Sequence, residues 1–140
     1  MNLQRKPQSL LLCLLIASII STGIHFTDNF LFYQKYPQPE WITLDLIYIS
    51  WVILTFFGLV GYWLYRVGGN LGVAYVCLCI YSLTGLSSLG HYLYGAMSEF
   101  SVKMHLFIWT DALTGMAVLG FVFWSGLFLK EWSRDSTVAD

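Results

Sequence analysis

Hydrophobic positions in this chain gather into long runs rather than alternating with polar ones. A helix needs about 20 apolar residues to cross a bilayer core. Four stretches meet that length, at about 9–26, 41–65, 71–97 and 106–129. In the first, the run from Leu10 to Ile20 is broken only by Ser18. Pro7, Pro37 and Pro39 all fall outside the four stretches, so continuous helices are expected. The segments between them are short. The longest, 27–40, carries Tyr36-Pro37-Gln38-Pro39 and cannot be helical throughout. Arg66-Val67-Gly68-Gly69-Asn70 reads as a tight turn, and 98–105 as a third loop. Short connections make successive helices antiparallel. The expected fold is all-α: an integral membrane four-helix bundle with antiparallel neighbours, forming one domain over 1–140 without repeats or linkers.

Composition strengthens that picture. Apolar residues are 57% of the chain and charged residues only 11%, against about a quarter charged in soluble domains. A soluble domain of 140 residues buries too small a share of its surface to hide this much apolar area. The net charge of −1 removes nucleic acid as a partner, because no broad basic face is available. Cys13, Cys77 and Cys79 all lie inside apolar runs and read as small buried residues rather than as a disulfide framework. Cys77 and Cys79 are two apart and point in different directions on a helix. Two other readings concern the first stretch. Arg5 and Lys6 before an apolar run also fit a cleaved signal peptide, although the run is long for one. Leu10-Leu11-Leu12-Cys13 makes a poor lipoprotein signal, since small residues should precede the cysteine.

Charge fixes the expected orientation. Arg5, Lys6, Arg66, Lys130 and Arg134 fall on one side of the bundle, and Lys35 and Lys103 on the other. The richer side is expected in the cytoplasm, with both termini. Trp41 and Trp109 then mark the outer interface, and Trp63 and Trp132 the inner one, as in an ordinary aromatic belt.

With this topology, the ionisable residues inside the helices collect at the outer ends. His25 and His91 end the first and third helices, and His105 starts the fourth. Asp28 and Asn29 follow His25, Asp45 opens the second helix, and Asp111 lies about 9 Å along the axis from His105 at 1.5 Å per residue. Ser18, Ser21, Thr22, His25, Asp28 and Asn29 recur at intervals of three and four and share one face. Thr84, Ser87, Ser88 and His91 do the same on the third helix, as do Asp111, Thr114 and Gly115 on the fourth. Lipid tails offer no hydrogen-bond partners, so these stripes should face one another around a polar pocket open to the outer face. The plainer reading is a structural network of back-bonded hydroxyls with glycines that let helices approach. Asp111 resists it most, because a carboxylate at a helix centre costs about 2.5–3.5 kcal/mol on insertion scales.

Several chemistries fit three histidines and three aspartates. They can hold Zn2+, Cu2+ or Fe2+, although H-E-x-x-H, C-x-x-C and E-x-x-H spacings are absent. His25 and His91 at matched depth can ligate a haem. A histidine beside a carboxylate can also move a proton near neutral pH. The broad architecture resembles that of the four-helix membrane isomerases of sterols and related sterol-binding proteins, although their active-site pattern does not align with these residues. Nucleophilic catalysis and phosphate loops find no support: G-x-S-x-G is absent, and the glycines at 68–72 follow no strand.

The leading expectation is binding of a small ligand or ion in an outward-facing pocket built from His25, Asp28, Asn29, Asp45, His91, His105 and Asp111, with or without proton transfer. An apolar small molecule suits the aromatic mouth formed by residues such as Phe26, Tyr94 and Phe107. The competing expectations are an accessory subunit of a larger membrane complex or homo-oligomer, and a small membrane enzyme acting on a lipid-like substrate. Whether the cofactor is a metal, a haem or neither is left open by the residues, and lipids are the constant partner.

Overall fold

The computed structural model describes residues 5–129 and 131. Lys130, Trp132 and Arg134, used above for the charge count and the aromatic belt, lie outside the described residues. The described residues are helical apart from their connections. Helix α1 is Arg5–Leu31, α2 is Leu44–Val67, and α3 is Leu71–Leu86. Helix α3 passes through a 3-10 turn, Ser87–Gly90, into the short α4, His91–Tyr94. Helix α5, Val102–Phe123, runs into a π-helical turn, Trp124–Phe128. Four of these spans are long and apolar enough to cross a membrane: Lys6–Leu31, Leu44–Val67, Leu71–Tyr94 and Val102–Phe128.

The helices form a closed ring in the order α1, α2, α3, α5, with α5 returning to α1. Neighbours run antiparallel. The side chain of Gln8 at the start of α1 donates to the carbonyl of Arg66 at the end of α2. At the opposite end, Tyr48 near the start of α2 reaches Thr27 near the end of α1. We call the end holding 32–43 and the α3–α5 connection the loop end, and the end holding the α2–α3 turn the turn end. That turn is closed by Gly68, whose φ of 68° lies in the left-handed region that glycine enters without a Cβ clash. Asn70 then caps α3 by accepting from the Val73 amide.

Element boundaries differ from the expected ones for local reasons. Helix α1 continues five residues past 26, and Pro7 lies within its first turn, where its missing N–H has no intrahelical partner to lose. The third helix does not run unbroken to 97. The hydroxyls of Ser82 and Ser87 bond back to the carbonyls three residues before them, and the helix tightens into the 3-10 turn. Helix α5 starts four residues earlier than expected, because Ser101 caps it by accepting from the Met104 amide.

Helices α3 and α5 cross with backbones in contact. A Cβ on Gly85 would run into the carbonyl oxygen of Asp111, and one on Gly115 would lie 2.8 Å from the carbonyl oxygen of Ser82. Only glycine permits this approach, and it carries Asp111 into the middle of the ring. Across the molecule, polarity is inverted relative to a water-soluble domain. Ile20, Phe56, Leu59 and Leu113 are exposed, while Ser18, Thr22, His25, Thr84 and Asp111 are buried. A layer of Leu11, Leu15, Leu78, Tyr81 and Val118 fills the middle of the ring.

Candidate functional site: a buried histidine–aspartate pair beside a cavity

His25 lies on the stripe of α1 that faces the ring interior, level with the Gly85–Gly115 crossing. Its Nδ1 is 2.7 Å from Oδ2 of Asp111, and both residues are excluded from the surface, at 1% and 0% exposure. A carboxylate can only accept here, so Nδ1 carries the proton. Ser88, in the 3-10 turn after α3, donates to the same carboxylate oxygen at 3.2 Å. Ser21, one turn before His25, donates to Oδ1 of Asp111. Thr22 bonds back to the Ser18 carbonyl and accepts from the indole N–H of Trp51 on α2, which ties that helix to the same layer. Three helices and the turn after α3 therefore fix the pair.

The other ring nitrogen, Nε2 of His25, is buried and has no hydrogen-bond partner among the described residues. It belongs to a residue lining a cavity of about 710 Å3 between the loop-end halves of α1, α2 and α3. The α2 wall is apolar, with Leu46, Ile47 and Leu54. Trp41, Leu93 and Tyr94 also line it, and Asn29, Ser87, Ser88 and His91 are among its polar groups.

His91 packs its ring 5.3 Å from that of His25, tilted by 39°. Its Nε2 lies 3.3 Å from Nδ2 of Asn29, an N–H donor, and accepts from it. Oδ1 of Asn29 is buried and has no partner among the described residues. Two packed rings differ from two axial ligands facing each other across a porphyrin. Among the described residues, no group of three or more His, Cys, Asp or Glu side chains is placed to hold a metal ion.

Of the residues that the sequence singled out, His25, Asn29, His91 and Asp111 come together. Asp28 lies one turn from His25 but faces another way. It takes Lys103 at 2.5 Å and the hydroxyl of Tyr36 at 2.7 Å, and Lys103 also lies over the ring of Phe32. Burial and the hydrogen bond to the Asp28 carboxylate both push the Tyr36 phenol above its usual range. His105 forms a separate clamp: Tyr92 donates to its Nδ1 at 2.7 Å, and its Nε2 donates to the Met97 carbonyl at 3.1 Å. Asp45 is exposed in the first turn of α2, where it complements the helix dipole.

Sequence reasoning left two features out. One is the α2 wall of the cavity, made of aliphatic residues that look like any others in an apolar run. The other is at the turn end. Glu131 accepts from the hydroxyls of Tyr65 at 2.9 Å, Tyr75 at 3.4 Å and Ser125. Tyr65 near the end of α2 and Tyr75 near the start of α3 flank one turn in the sequence, which was the available signal. Searched against known protein families, curated proteins and solved structures, the chain matches none.

Proposed function

We propose that the chain is a multi-pass membrane protein, with both termini on the cytoplasmic side, that takes a small and largely apolar molecule into the loop-end cavity. His25 Nε2 is the polar contact that orients it. The observation carrying this reading is the state of that nitrogen: buried, unpartnered, and beside a cavity, while Nδ1 is held by Asp111. Burying a polar atom without a partner costs free energy unless something compensates, and a ligand group is such a compensation. A mostly apolar cavity with a few converging polar groups is the usual form of a small-molecule site.

The membrane part of the reading rests on the four long apolar spans and the inverted polarity. In lipid, exposed Ile20, Phe56 and Leu113 cost nothing, while buried Thr22, Ser88 and Asp111 find partners inside. The orientation rests on the arginine and lysine count, since Lys6 and Arg66 share the turn end and Lys35 and Lys103 the loop end. The loop-end cavity then faces the outer half of the membrane.

The test is chemical. Full-length protein purified in detergent is extracted with organic solvent, and the retained molecules are identified by mass spectrometry beside His25→Phe and Leu54→Trp. An apolar molecule near one per protein, retained by the wild type and lost from both variants, is the expected result. Identical lipid profiles for all three proteins would remove the ligand reading, and copurification of a stoichiometric protein would favour an accessory subunit instead.

A further inference from the structure

The walls of the loop-end cavity also set where its occupant comes from, granted that the cavity is a ligand site as proposed above. We infer that it is entered sideways from the bilayer, through the seam between α2 and α3, by a lipid-like amphiphile. The chain end of that molecule lies at Leu54 and Leu86, and its polar head lies toward the loop end.

The route follows from helix packing. On the turn-end side, α2 and α3 touch through the glycines of α2. A Cβ on Gly58 would lie 2.7 Å from the Tyr81 ring, and one on Gly61 would lie 2.9 Å from the Leu78 side chain. Continued toward the loop end, this antiparallel register sets Leu54 against Gly85 and Leu86, Ser50 against Leu89 and Gly90, and Leu46 against Leu93. From Leu44 to Phe57, α2 carries no glycine, so it lacks the small residues that let helices close on each other. The cavity occupies this same stretch. Leu46, Ser50 and Leu54 line it from one side, and Leu86, Ser87 and Leu93 from the other. It is a parting of the α2–α3 seam, on the side of the ring away from α5.

That seam meets lipid. Trp41, Ser87, Leu93 and Tyr94 line the cavity and are also exposed. Ile49 and Ile53 on α2 and Leu83, one turn before Leu86, are exposed as well. The mouth is continuous with the apolar surface that the spans present to the bilayer. Leu54 lies about 15 Å from the start of α2 at 1.5 Å per residue, about half of a hydrocarbon core of ~30 Å. An opening that reaches this depth between two spans faces hydrocarbon rather than water.

Polarity along the wall orients the molecule. Near the loop end the lining includes Asn29, Gln38 and His91. Deeper, the hydroxyls of Ser50 and Ser87 are spent on the carbonyls of Ile47 and Thr84 in their own helices, which leaves Leu54 and Leu86 as an apolar floor. His25 is level with Ser50, because a Cβ on Gly23 would touch Trp51 and Tyr48 meets Thr27, so it lies above that floor. A wholly polar solute does not dissolve in the bilayer around the mouth, and a plain hydrocarbon would desolvate the polar residues near the loop end. The volume of about 710 Å3 is that of a drug-sized site, which suits a single-chain amphiphile.

The probes are photoactivatable. Two are octanols that partition into the bilayer, one with a diazirine near its hydroxyl and one with a diazirine near its chain end. The third is a neutral sugar carrying a diazirine, which stays in water. Full-length protein in phosphatidylcholine vesicles is illuminated with each, and the labelled residues are located by mass spectrometry. The chain-end octanol is expected on Leu54 and Leu86, and the hydroxyl-end octanol on Trp41 and Asn29. Both signals should be lost when excess unlabelled octanol competes, while label on lipid-facing Phe56 and Leu113 persists. The sugar should label neither Leu54 nor Leu86. Leu54→Trp, shown to be folded by circular dichroism and size exclusion, should lose the label on Leu86 and keep that on Phe56. The competition arm needs no variant at all.

Sugar label on Leu54 and Leu86 matching that of the octanols would mean a mouth open to water, which overturns lateral entry and leaves the ligand reading standing. Exchange of the two octanol patterns would overturn the orientation. Octanol label on Leu54 and Leu86 that excess octanol does not reduce would overturn entry from the bilayer. The organic extract then decides the wider reading: an apolar molecule retained by the wild type and lost from Leu54→Trp keeps the cavity as a ligand site, and its absence removes both.

Discussion

The two ends of this bundle each carry a carboxylate held by hydroxyl groups, and they differ in what is left over. At the turn end, Glu131 takes the hydroxyls of Tyr65, Tyr75 and Ser125, and Ser125 in turn meets both tyrosines. Every one of these hydroxyl groups has a partner. At the loop end, Asp111 takes Ser21, Ser88 and His25, and the same satisfaction of the carboxylate leaves Nε2 of His25, a residue that lines the cavity, without a partner among the described residues. Between the ends lies the layer of Leu11, Leu15, Leu78, Tyr81 and Val118, and among the described residues no hydrogen bond joins the Glu131 cluster to the Asp111 cluster. A carboxylate and its hydroxyls suffice to fasten helices together. A histidine beside the carboxylate adds a second polar atom, and its direction decides whether the cluster is a fastening or a site.

Substitutions can break or sharpen this comparison. The largest effect is expected for Asp111→Ala, which removes the acceptor shared by Nδ1 of His25 and the hydroxyls of Ser21 and Ser88. Leaving a buried donor without its acceptor costs about 1–3 kcal/mol per group, whereas replacing both partners by apolar groups of similar shape is often nearly neutral. Denaturant unfolding of the purified protein should therefore show Asp111→Ala strongly destabilised and His25→Phe with Asp111→Leu largely restored, though without its ligand. Next comes Gly85→Ala, which pushes α3 away from the Asp111 carbonyl and should cost about 1–3 kcal/mol by overpacking. It should also weaken ligand binding, since it moves Asp111 relative to His25.

At the turn end, Ser125→Ala removes one hydroxyl while Tyr65 and Tyr75 keep Glu131. A loss of about 1 kcal/mol in the same unfolding assay is expected, with ligand binding unchanged. An equal loss of ligand affinity would mean that the two ends are coupled after all. The smallest effect concerns the loop connection. The Tyr36 phenol is held above its usual value of 10.0 by burial and by Asp28, so the folded state keeps that proton more tightly than the unfolded chain. Its contribution to stability is complete below the unfolded value and is lost as pH rises through the folded one. Stability should fall more steeply above pH about 10 in the wild type than in Tyr36→Phe.

Much of the architecture was legible in the sequence because bilayer-length apolar runs leave few alternatives to helices, and short connections leave few alternatives to antiparallel neighbours. The stripe Ser18, Ser21, Thr22, His25 announced an inward face on α1 by its spacing alone. Where the sequence misled, side chains competed with the backbone. Ser82 and Ser87 took carbonyls and tightened the end of α3, and Ser101 opened α5 a turn early. The composition of the polar cluster was less legible than its existence. His105 and Asp28 have the right residue types at the right depth, yet Tyr92 and Lys103 engage them, and those partners are set by helix rotation rather than by position along the chain. The contribution of α2 was hidden for another reason: a cavity wall of Leu46, Ile47 and Leu54 is written in the same residues as a lipid-facing surface.

The central claim is the protonation of one ring, and nitrogen NMR of the full-length protein with labelled histidine reads it directly. The His25 resonances are assigned by comparison with His25→Phe. The account predicts a protonated Nδ1 and an unprotonated Nε2, with the Nδ1 resonance shifting in Asp111→Asn. A His25 carrying its proton on Nε2 with Nδ1 bare, or carrying protons on both nitrogens before any ligand is added, would contradict it.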